Sequence, residues 1–177
     1  MLEIHIGELN QLFNAMDPAP FRERDLDPKA EEFILGWARE LRTDGPLALV
    51  VHLDRQAGTL EEAAMLKDAV HEFFAERAHQ SRQRLRQVLR VGRTSLVIGL
   101  LFLTTSILMS DQFGSQDDAG HFGGVVRESL LIGGWVAMWR PLEVFLYDWW
   151  PILSEARLLD RLSQMAVQIV QSVRQAP

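Results

Sequence analysis

Apolar residues are unevenly distributed along the chain, with two long runs in its second half. The first run, from Thr94 to Ser110, holds 17 residues without a charge and would extend over about 25 Å as a helix. The second run, from Gly123 to Trp139, has the same length and contains Arg127 and Glu128 about one turn from its start. Runs of this length and composition are typical of transmembrane helices, and the polar residues between them can form a turn. The pattern predicts a transmembrane hairpin.

Short apolar stretches before residue 58 indicate two β-strands around one amphipathic helix. Leu2 to Ile6 and Leu47 to Leu53 are rich in aliphatic and β-branched residues, which is typical of strands. Asp27 followed by Pro28 predicts the start of a helix that runs to about Leu41. Strand, helix and strand in this order predict a right-handed βαβ unit with parallel strands. Because two strands alone are marginally stable, we expect further pairing with another protomer or with the next helix.

A long helix is predicted to connect this unit to the first span. Thr59 with Glu62 three residues later is a capping-box pattern, and the chain has no proline from there to Pro141. After Pro151, apolar residues continue at helical spacing and predict a C-terminal helix that docks on the long helix. A helix lying on the membrane surface is the alternative, which the small number of cations disfavours. The stripe on which this prediction depends is Leu159, Leu162, Ala166, Ile169 and Val173.

These patterns together predict an α+β membrane protein. It has a small cytoplasmic βαβ-like domain, a long helix leading into a two-helix transmembrane hairpin, and a C-terminal amphipathic cytoplasmic helix. The predicted segments are the domain at 1–58, the juxtamembrane helix at 59–93, span 1 at 94–110, an extracytoplasmic linker at 111–122, span 2 at 123–140, and an interfacial segment with the final helix at 141–177.

The distribution of arginine predicts how the hairpin is oriented. Arginines are frequent before the first span, and Arg140, Arg157 and Arg161 follow within or after the second, whereas the linker holds acids and no Lys or Arg. Because cytoplasmic flanks accumulate Lys and Arg, both termini are expected in the cytoplasm. A nucleic-acid site is the alternative for the arginine cluster, which the net charge of -6 disfavours. The residues predicted to set topology and face lipid are Arg82, Arg84, Arg86, Arg90 and Arg93.

Composition and motifs exclude several classes of chemistry. The chain has no cysteine, which excludes disulfides, thiolate catalysis and cysteine-bound metals. It contains no GxxxxGK[ST], GxGxxG or GxSxG pattern, so phosphate-loop, dinucleotide-binding and hydrolase signatures are missing. His5 and His52 could meet if their strands pair, but a metal or acid–base site needs a third group that the sequence does not identify. We therefore predict no catalytic residue, no metal and no cofactor.

Ionisable residues within or beside the second span are the first candidate site. Arg140 and Glu143 are three residues apart and are expected to pair on one helical face. One interpretation places such groups at membrane depth, where they would line a cavity. The favoured interpretation is that Arg140 is an interface anchor and Pro141 the bend at which the span ends. The candidate intramembrane or interfacial residues are Arg127, Glu128, Arg140, Glu143 and Asp148.

A charged, proline-containing segment between the first strand and the first helix is the second candidate. The segment from Asp17 to Asp27 is dense in acids and arginines for a loop, which is compatible with a docking surface. The favoured alternative is a stiff connector whose acids cap the next helix and pair with its arginines. The candidate docking residues are Asp17, Phe21, Arg22, Arg24, Asp25 and Asp27.

The segments DPAPFRERDLD and WRPLEVFLYDWWP resemble those of an uncharacterised family of small bacterial two-span inner-membrane proteins. The resemblance implies a place in the bacterial inner membrane and supplies no activity. From the residues themselves we expect a non-enzymatic membrane scaffold or assembly partner. An oligomeric channel or transporter subunit that uses the intramembrane Arg and Glu residues is the alternative, and an enzyme comes third. The expected partners are membrane lipids, further copies of the chain as a dimer or higher oligomer, and another membrane or cytoplasmic protein, with no nucleic acid.

Overall fold

The computed structural model describes residues 1–14, 16–17, 24–41, 45–53, 60–114 and 121–171, and gives only the backbone of 60–61, 111–114, 121–123 and 171. The protein is mostly helical, with a small three-stranded parallel sheet and two long apolar helices. The elements are β1 (Leu2–Ile6), a 3-10 turn (Leu9–Leu12), α1 (Pro28–Glu40), β2 (Ala48–Leu53), α2 (Leu60–Gly114), α3 (His121–Glu143), a π-helical turn (Val144–Asp148), α4 (Trp149–Leu162) and β3 (Ala166–Gln171).

The sheet has the strand order β1-β2-β3, and all neighbouring strands are parallel. Ile4 pairs with Val51, and Val51 pairs with Ile169, so the central strand is β2. The predicted parallel pairing of the first two strands is therefore confirmed. The further pairing was expected from another protomer or from the next helix, but it comes from β3 in the C-terminal part of the same chain. This third strand removes the shortage of strands as an argument for a second protomer.

The C-terminal segment differs from the prediction of one amphipathic helix over 141–177. Helix α4 ends at Leu162, and β3 begins at Ala166 after a turn. Val167 and Ile169 pack against the core while Gln168 and Val170 face outward, which is the two-residue alternation of a strand. Leu159 and Leu162 keep their predicted place on a buried helical stripe, whereas Val173 lies outside the described residues.

The core of the sheet lies against three helices. Asp27 accepts a hydrogen bond from the backbone N–H of Lys29 at 2.9 Å, and this predicted cap starts α1. The first turns of α2 bury large side chains, as their spacing predicts. The most deeply buried core members are Ile34 of α1, Leu49 and Val51 of β2, Leu66, Val70 and Phe74 of α2, and Leu162 of α4.

Helix α2 is a single α-helix of 55 residues. The expectation of a long unbroken helix is confirmed, and Thr59, its predicted cap, lies outside the described residues. Helix α2 continues to Gly114 and α3 begins at His121, so the helices extend beyond the 17-residue runs and the link between them is shorter than the predicted 111–122.

The chain folds into two compact units. The sheet unit comprises Met1–Ser81 and Ser154–Pro177, and the hairpin unit comprises Arg82–Leu153. Helices α2 and α4 each contribute residues to both units. The buried core of the sheet belongs entirely to the sheet unit.

Truncation of Leu162 should reveal how much the sheet unit depends on its core. The side chain of Leu162 is fully buried, so Leu162→Ala leaves a cavity and should lower the free energy of unfolding by about 2–5 kcal/mol. Phe33→Ala is the matched control, because Phe33 is 56% exposed in α1 and should change stability by less than about 1 kcal/mol. Urea unfolding of the full chain in mild detergent, followed by circular dichroism, measures both. Equal effects of the two substitutions would contradict this placement of the core.

Candidate functional site

Small residues form the contact between α2 and α3 in the hairpin unit. A methyl group placed on Gly92 would meet Val144, and one placed on Gly134 would meet Leu103. Ser106 and Ser110 of α2 are also buried. Residues early in this part of α2 contact residues late in α3 and the π-helical turn, so the helices run antiparallel. Small side chains at such a seam let two helix backbones approach closely.

The closest backbone approach is at Gly99. A methyl group at this position would lie 3.0 Å from the carbonyl oxygen of Ala137. That carbonyl is four residues before Pro141, which has no N–H to donate to it. Glycine Cα–H groups form weak hydrogen bonds with carbonyl oxygens at helix interfaces, and a neighbouring helix is one way in which a carbonyl freed by proline is satisfied. Gly99 therefore packs against the carbonyl group of α3 that lacks a backbone hydrogen bond because of the proline.

Pro141 lies inside the second helix and does not end it. It is buried within α3, which continues to Glu143 and then into the π-helical turn. A proline removes one backbone hydrogen bond and crowds the preceding turn, and the π-helical turn begins three residues after it. The helical path continues from His121 through α4.

Large apolar side chains cover the outside of the hairpin. The ranges Glu62–Ser110 and Gly124–Leu162 each contain an 18-residue window that is apolar enough to cross a membrane. Only 17% of each window is buried. This exposure distinguishes the two helices from core helices of a soluble domain, which are mostly buried. The large side chains at least half exposed in α2 and α3 are Val91, Val97, Ile98, Leu100, Leu101, Leu108, Val125, Ile132, Trp135, Val136 and Trp139.

The threonine hydroxyls of this surface are satisfied within their own helix. Thr104 donates to the carbonyl oxygen of Leu100 at 2.7 Å, and Thr105 donates to that of Leu101 at 2.8 Å. Thr94 makes the same bond to Arg90 at 3.1 Å. A hydroxyl paired in this way needs no water, so these polar residues are compatible with apolar surroundings.

Arg140 forms the predicted pair with Glu143 and a second pair with Asp148. Its guanidinium donates to Glu143 at 2.8 Å and lies 3.7 Å from a carboxylate oxygen of Asp148. The Arg140 side chain is 63% exposed, so the cluster lies on the surface of the hairpin unit. The structure thus brings together three of the five candidate polar residues, with the charges of the arginine and two acids facing one another.

Arg127 and Glu128 are not joined in the structure. Arg127 donates from Nε to the hydroxyl of buried Ser110 on α2 at 3.3 Å, whereas the Glu128 side chain is exposed. Consecutive helical residues point about 100° apart, which explains why the two side chains diverge. The Arg127 bond joins the two helices near the end of α2, and sequence reasoning missed it because the pairing depends on the helix register.

The arginine cluster lies along the exposed side of α2. The side chains of Arg82, Arg84, Arg86, Arg90 and Arg93 are all exposed. No salt bridge joins Arg84, Arg86, Arg90 or Arg93 to an acid among the described residues. This part of the helix therefore presents a positive surface.

The candidate docking loop is described only at its ends. Asp17 accepts a hydrogen bond from the backbone of Asp25 at 2.8 Å, while Asp27 caps α1. Phe13 and Leu26 form an antiparallel bridge, which closes the two ends onto the core. Phe21 and Arg22 lie outside the described residues, and Arg24 lines a cavity of about 330 Å³ beside Arg77. The described acids act as a connector and cap.

The outer face of the sheet brings the two strand histidines together. The rings of His5 and His52 stack with centroids 4.3 Å apart, and Nε2 of His52 lies 3.5 Å from a carboxylate oxygen of Glu3. Val50 and Val170 share this face by strand alternation, and Val170 is 41% exposed. Among the described residues, no group of three or more His, Asp or Glu is arranged to hold a metal ion.

Sequence reasoning also missed the glycine seam. The spacing of seven residues from Gly92 to Gly99 and on to Ser106 is the signal that could have found it, because such spacing keeps small residues on one face. The predicted site residues lie instead near the two ends of the second helix, where it carries charges.

Alanine substitutions at two helical glycines should change stability in opposite directions. Gly99→Ala places a methyl against the backbone of Ala137 and should lower the midpoint of thermal unfolding of the hairpin. Gly124→Ala is the control, since a methyl at that position has open space and Ala is the better helix former by about 1 kcal/mol. Circular dichroism of the full chain in detergent measures both midpoints. A Gly99→Ala protein as stable as the Gly124→Ala protein would rule out the close seam.

No family model, curated protein or solved structure matches the chain. The resemblance of its two charged segments to bacterial two-span membrane proteins therefore stays a prediction.

Proposed function

We propose that this protein is a non-enzymatic integral membrane scaffold or assembly partner. In this proposal the hairpin unit anchors the chain in the bacterial inner membrane, and the sheet unit is a cytoplasmic interaction domain with both termini on the same side. The observation that carries the proposal is the sorting of side chains in the hairpin, where glycine and serine fill the seam and large apolar residues face outward. In water such an outer surface would be strongly unfavourable.

The helix lengths support a bilayer as the apolar surrounding. From Thr94 to Ser110, α2 has no charged residue and rises about 25 Å, which covers most of a typical hydrocarbon core. Arg93 precedes this stretch directly. Trp139 of α3 and Tyr147 of the π-helical turn are more than two thirds exposed. Exposed Trp and Tyr side chains are enriched at membrane interfaces.

The exposed edge-strand residues on the outer face of the sheet support a role in assembly. Parallel sheets are usually covered on both faces. On this face His5, Gln168 and Val170 of the two edge strands are exposed, whereas Val50 of the central strand is buried. Its exposed valine and its polar residues give a mixed surface typical of non-obligate interfaces. A partner protein or a second copy of the chain would cover it.

A channel or transporter subunit is the second candidate, which exposed Glu128 on α3 favours. An acid within an apolar helix is costly in lipid, and several copies could turn it toward a shared aqueous path. Arg140 weighs against this function because its charge is paired with Glu143 and Asp148 of the same chain. The scaffold is therefore the better-supported proposal.

Single-cysteine labelling tests the anchor and its orientation. The chain has no cysteine, so Ser115→Cys and Met16→Cys each introduce a unique thiol. In spheroplasts, a membrane-impermeant maleimide should label the residue 115 variant from outside, whereas the residue 16 variant should react only after lysis. Labelling of residue 16 from outside, with residue 115 labelled only after lysis, would contradict the orientation. Recovery of the protein in the soluble fraction would contradict the membrane anchor.

Crosslinking in native membranes tests the scaffold role. Val170→Glu places a charge on the open sheet face and should remove a specific crosslink to a partner or second copy, as identified by mass spectrometry. Met16→Glu is the matched control, because Met16 is 90% exposed in the sheet unit and lies outside the strands. A wild-type protein without any specific crosslink would argue against the scaffold.

Ion flux into proteoliposomes separates the second candidate from the first. A scaffold should give no flux above that of protein-free vesicles. Flux through the wild type that is lost in a folded Glu128→Gln protein would favour the channel instead.

A further inference from the structure

Four of the five exposed arginines of α2 lie on one face of the helix. Arg82, Arg86, Arg90 and Arg93 are spaced by four, four and three residues, so they fall within about 80° around the helix axis. Their stripe is about 16 Å long, while Arg84 points to another side. We call these four residues the arginine stripe.

The arginine stripe continues into an aliphatic surface on the same face of the helix. Val97, Leu100, Leu101 and Leu108 occupy the corresponding positions after Thr94, and each is more than half exposed. One uninterrupted face of α2 therefore changes from cationic to apolar within about one turn. This change is expected where a helix passes from lipid headgroups into hydrocarbon.

Exposed aromatic residues lie at the level of the stripe. Gly92 packs against Val144, and the helices are antiparallel, so α2 residues shortly before Gly92 lie level with residues shortly after Val144. Tyr147 and Trp150 are 71% and 58% exposed there. Arginine and aromatic side chains thus lie at the same end of the apolar surface.

Three members of the stripe, Arg86, Arg90 and Arg93, form no salt bridge with an acid in the described part of the chain. From Arg77 to Ser110 the sequence contains six arginines and no Asp or Glu. Glu143 and Asp148, the acids of the facing helix near this level, already contact Arg140. A ligand for the stripe must be anionic and must reach several arginines next to hydrocarbon.

We propose that the arginine stripe binds the phosphate headgroups of anionic phospholipids, with the acyl chains of those lipids lying along the aliphatic surface below it. The inference rests on the proposed membrane anchor and adds a lipid preference to it. Guanidinium groups bind phosphate oxygens through paired hydrogen bonds, which gives the stripe the chemistry to hold the headgroup. A nucleic acid would find the same charge but would have to displace lipid from the apolar surface.

Tryptophan quenching by brominated lipids tests the proposal on the full chain. Four of the five tryptophans are in the hairpin unit, and therefore their fluorescence reports the lipids around it. The protein is reconstituted into phosphatidylcholine vesicles that contain either brominated phosphatidylglycerol or brominated phosphatidylcholine. The wild type should prefer phosphatidylglycerol by at least about fivefold, the effect of roughly one arginine near an anionic surface. Raising the salt concentration should reduce the preference.

Two charge-matched variants assign the preference to the stripe. Substituting Gln for all four stripe arginines should bring the preference close to one. The control substitutes Gln for Lys29, Arg39, Lys67 and Arg157, four exposed cations of the sheet unit, and should keep the wild-type preference. An equal loss in both variants would overturn the proposal, since net charge alone would then explain it.

The same measurement distinguishes failure of this proposal from failure of the anchor. Equal quenching by both lipids in the wild type would overturn the lipid preference and leave the anchor intact. No quenching by either lipid would place the tryptophans outside the bilayer and remove the anchor as well. Loss of oligonucleotide binding in the stripe variant, with its lipid preference kept, would identify nucleic acid as the ligand and overturn the proposal.

Discussion

The size of the side chains that α2 buries changes along its length, and both units depend on this change. In the sheet unit the helix buries Leu66, Val70 and Phe74 and exposes charged residues. In the hairpin unit it buries Gly92 and Gly99 and exposes aliphatic residues. In the sheet unit, burial of large side chains removes apolar surface from water. In the hairpin unit, the small residues allow close backbone contact, and the apolar side chains remain on the surface. A single surrounding solvent would not favour both arrangements within one helix.

The close seam also determines the shape of the chain around Pro141. The carbonyl of Ala137 faces Gly99, and Val144 faces Gly92. Glycines of α2 therefore contact both the part of α3 next to the proline and the start of the π-helical turn. Positions eight apart in a regular α-helix differ by about 80° in direction. A π-helical turn holds more residues per turn, so it rotates Asp148 back toward the face of Arg140. The pairing of Asp148 with Arg140 thus depends on this local change in helical geometry.

The success of the sequence predictions depended on whether local pattern or tertiary pairing determines each element. Leu2–Ile6, the cap at Asp27 and the long helix after residue 59 follow from local signals, and the structure agrees with them. Residues 166–171 read as helix because Leu159, Leu162, Ala166 and Ile169 also fit a spacing of three and four. The ladder with β2 decides that segment, and pairing across more than a hundred residues leaves no local signal. For the candidate site, the contact of Arg140 with Glu143 was predictable from spacing, whereas the bond from Arg127 to Ser110 required the register of two helices.

The position of polar groups in the hairpin bears directly on whether one chain could conduct a solute. A conduit needs polar side chains that face an open path, and in this unit the space between α2 and α3 is filled at Gly99 and Gly134 by direct contact. The charged groups of Arg140, Glu143 and Asp148 lie outside that contact and pair with one another. Ser110, the buried hydroxyl near the end of α2, accepts a hydrogen bond from Arg127 and so is satisfied within the hairpin. A path for solutes would therefore have to form between copies of the chain, because close packing fills the seam of the two-helix hairpin.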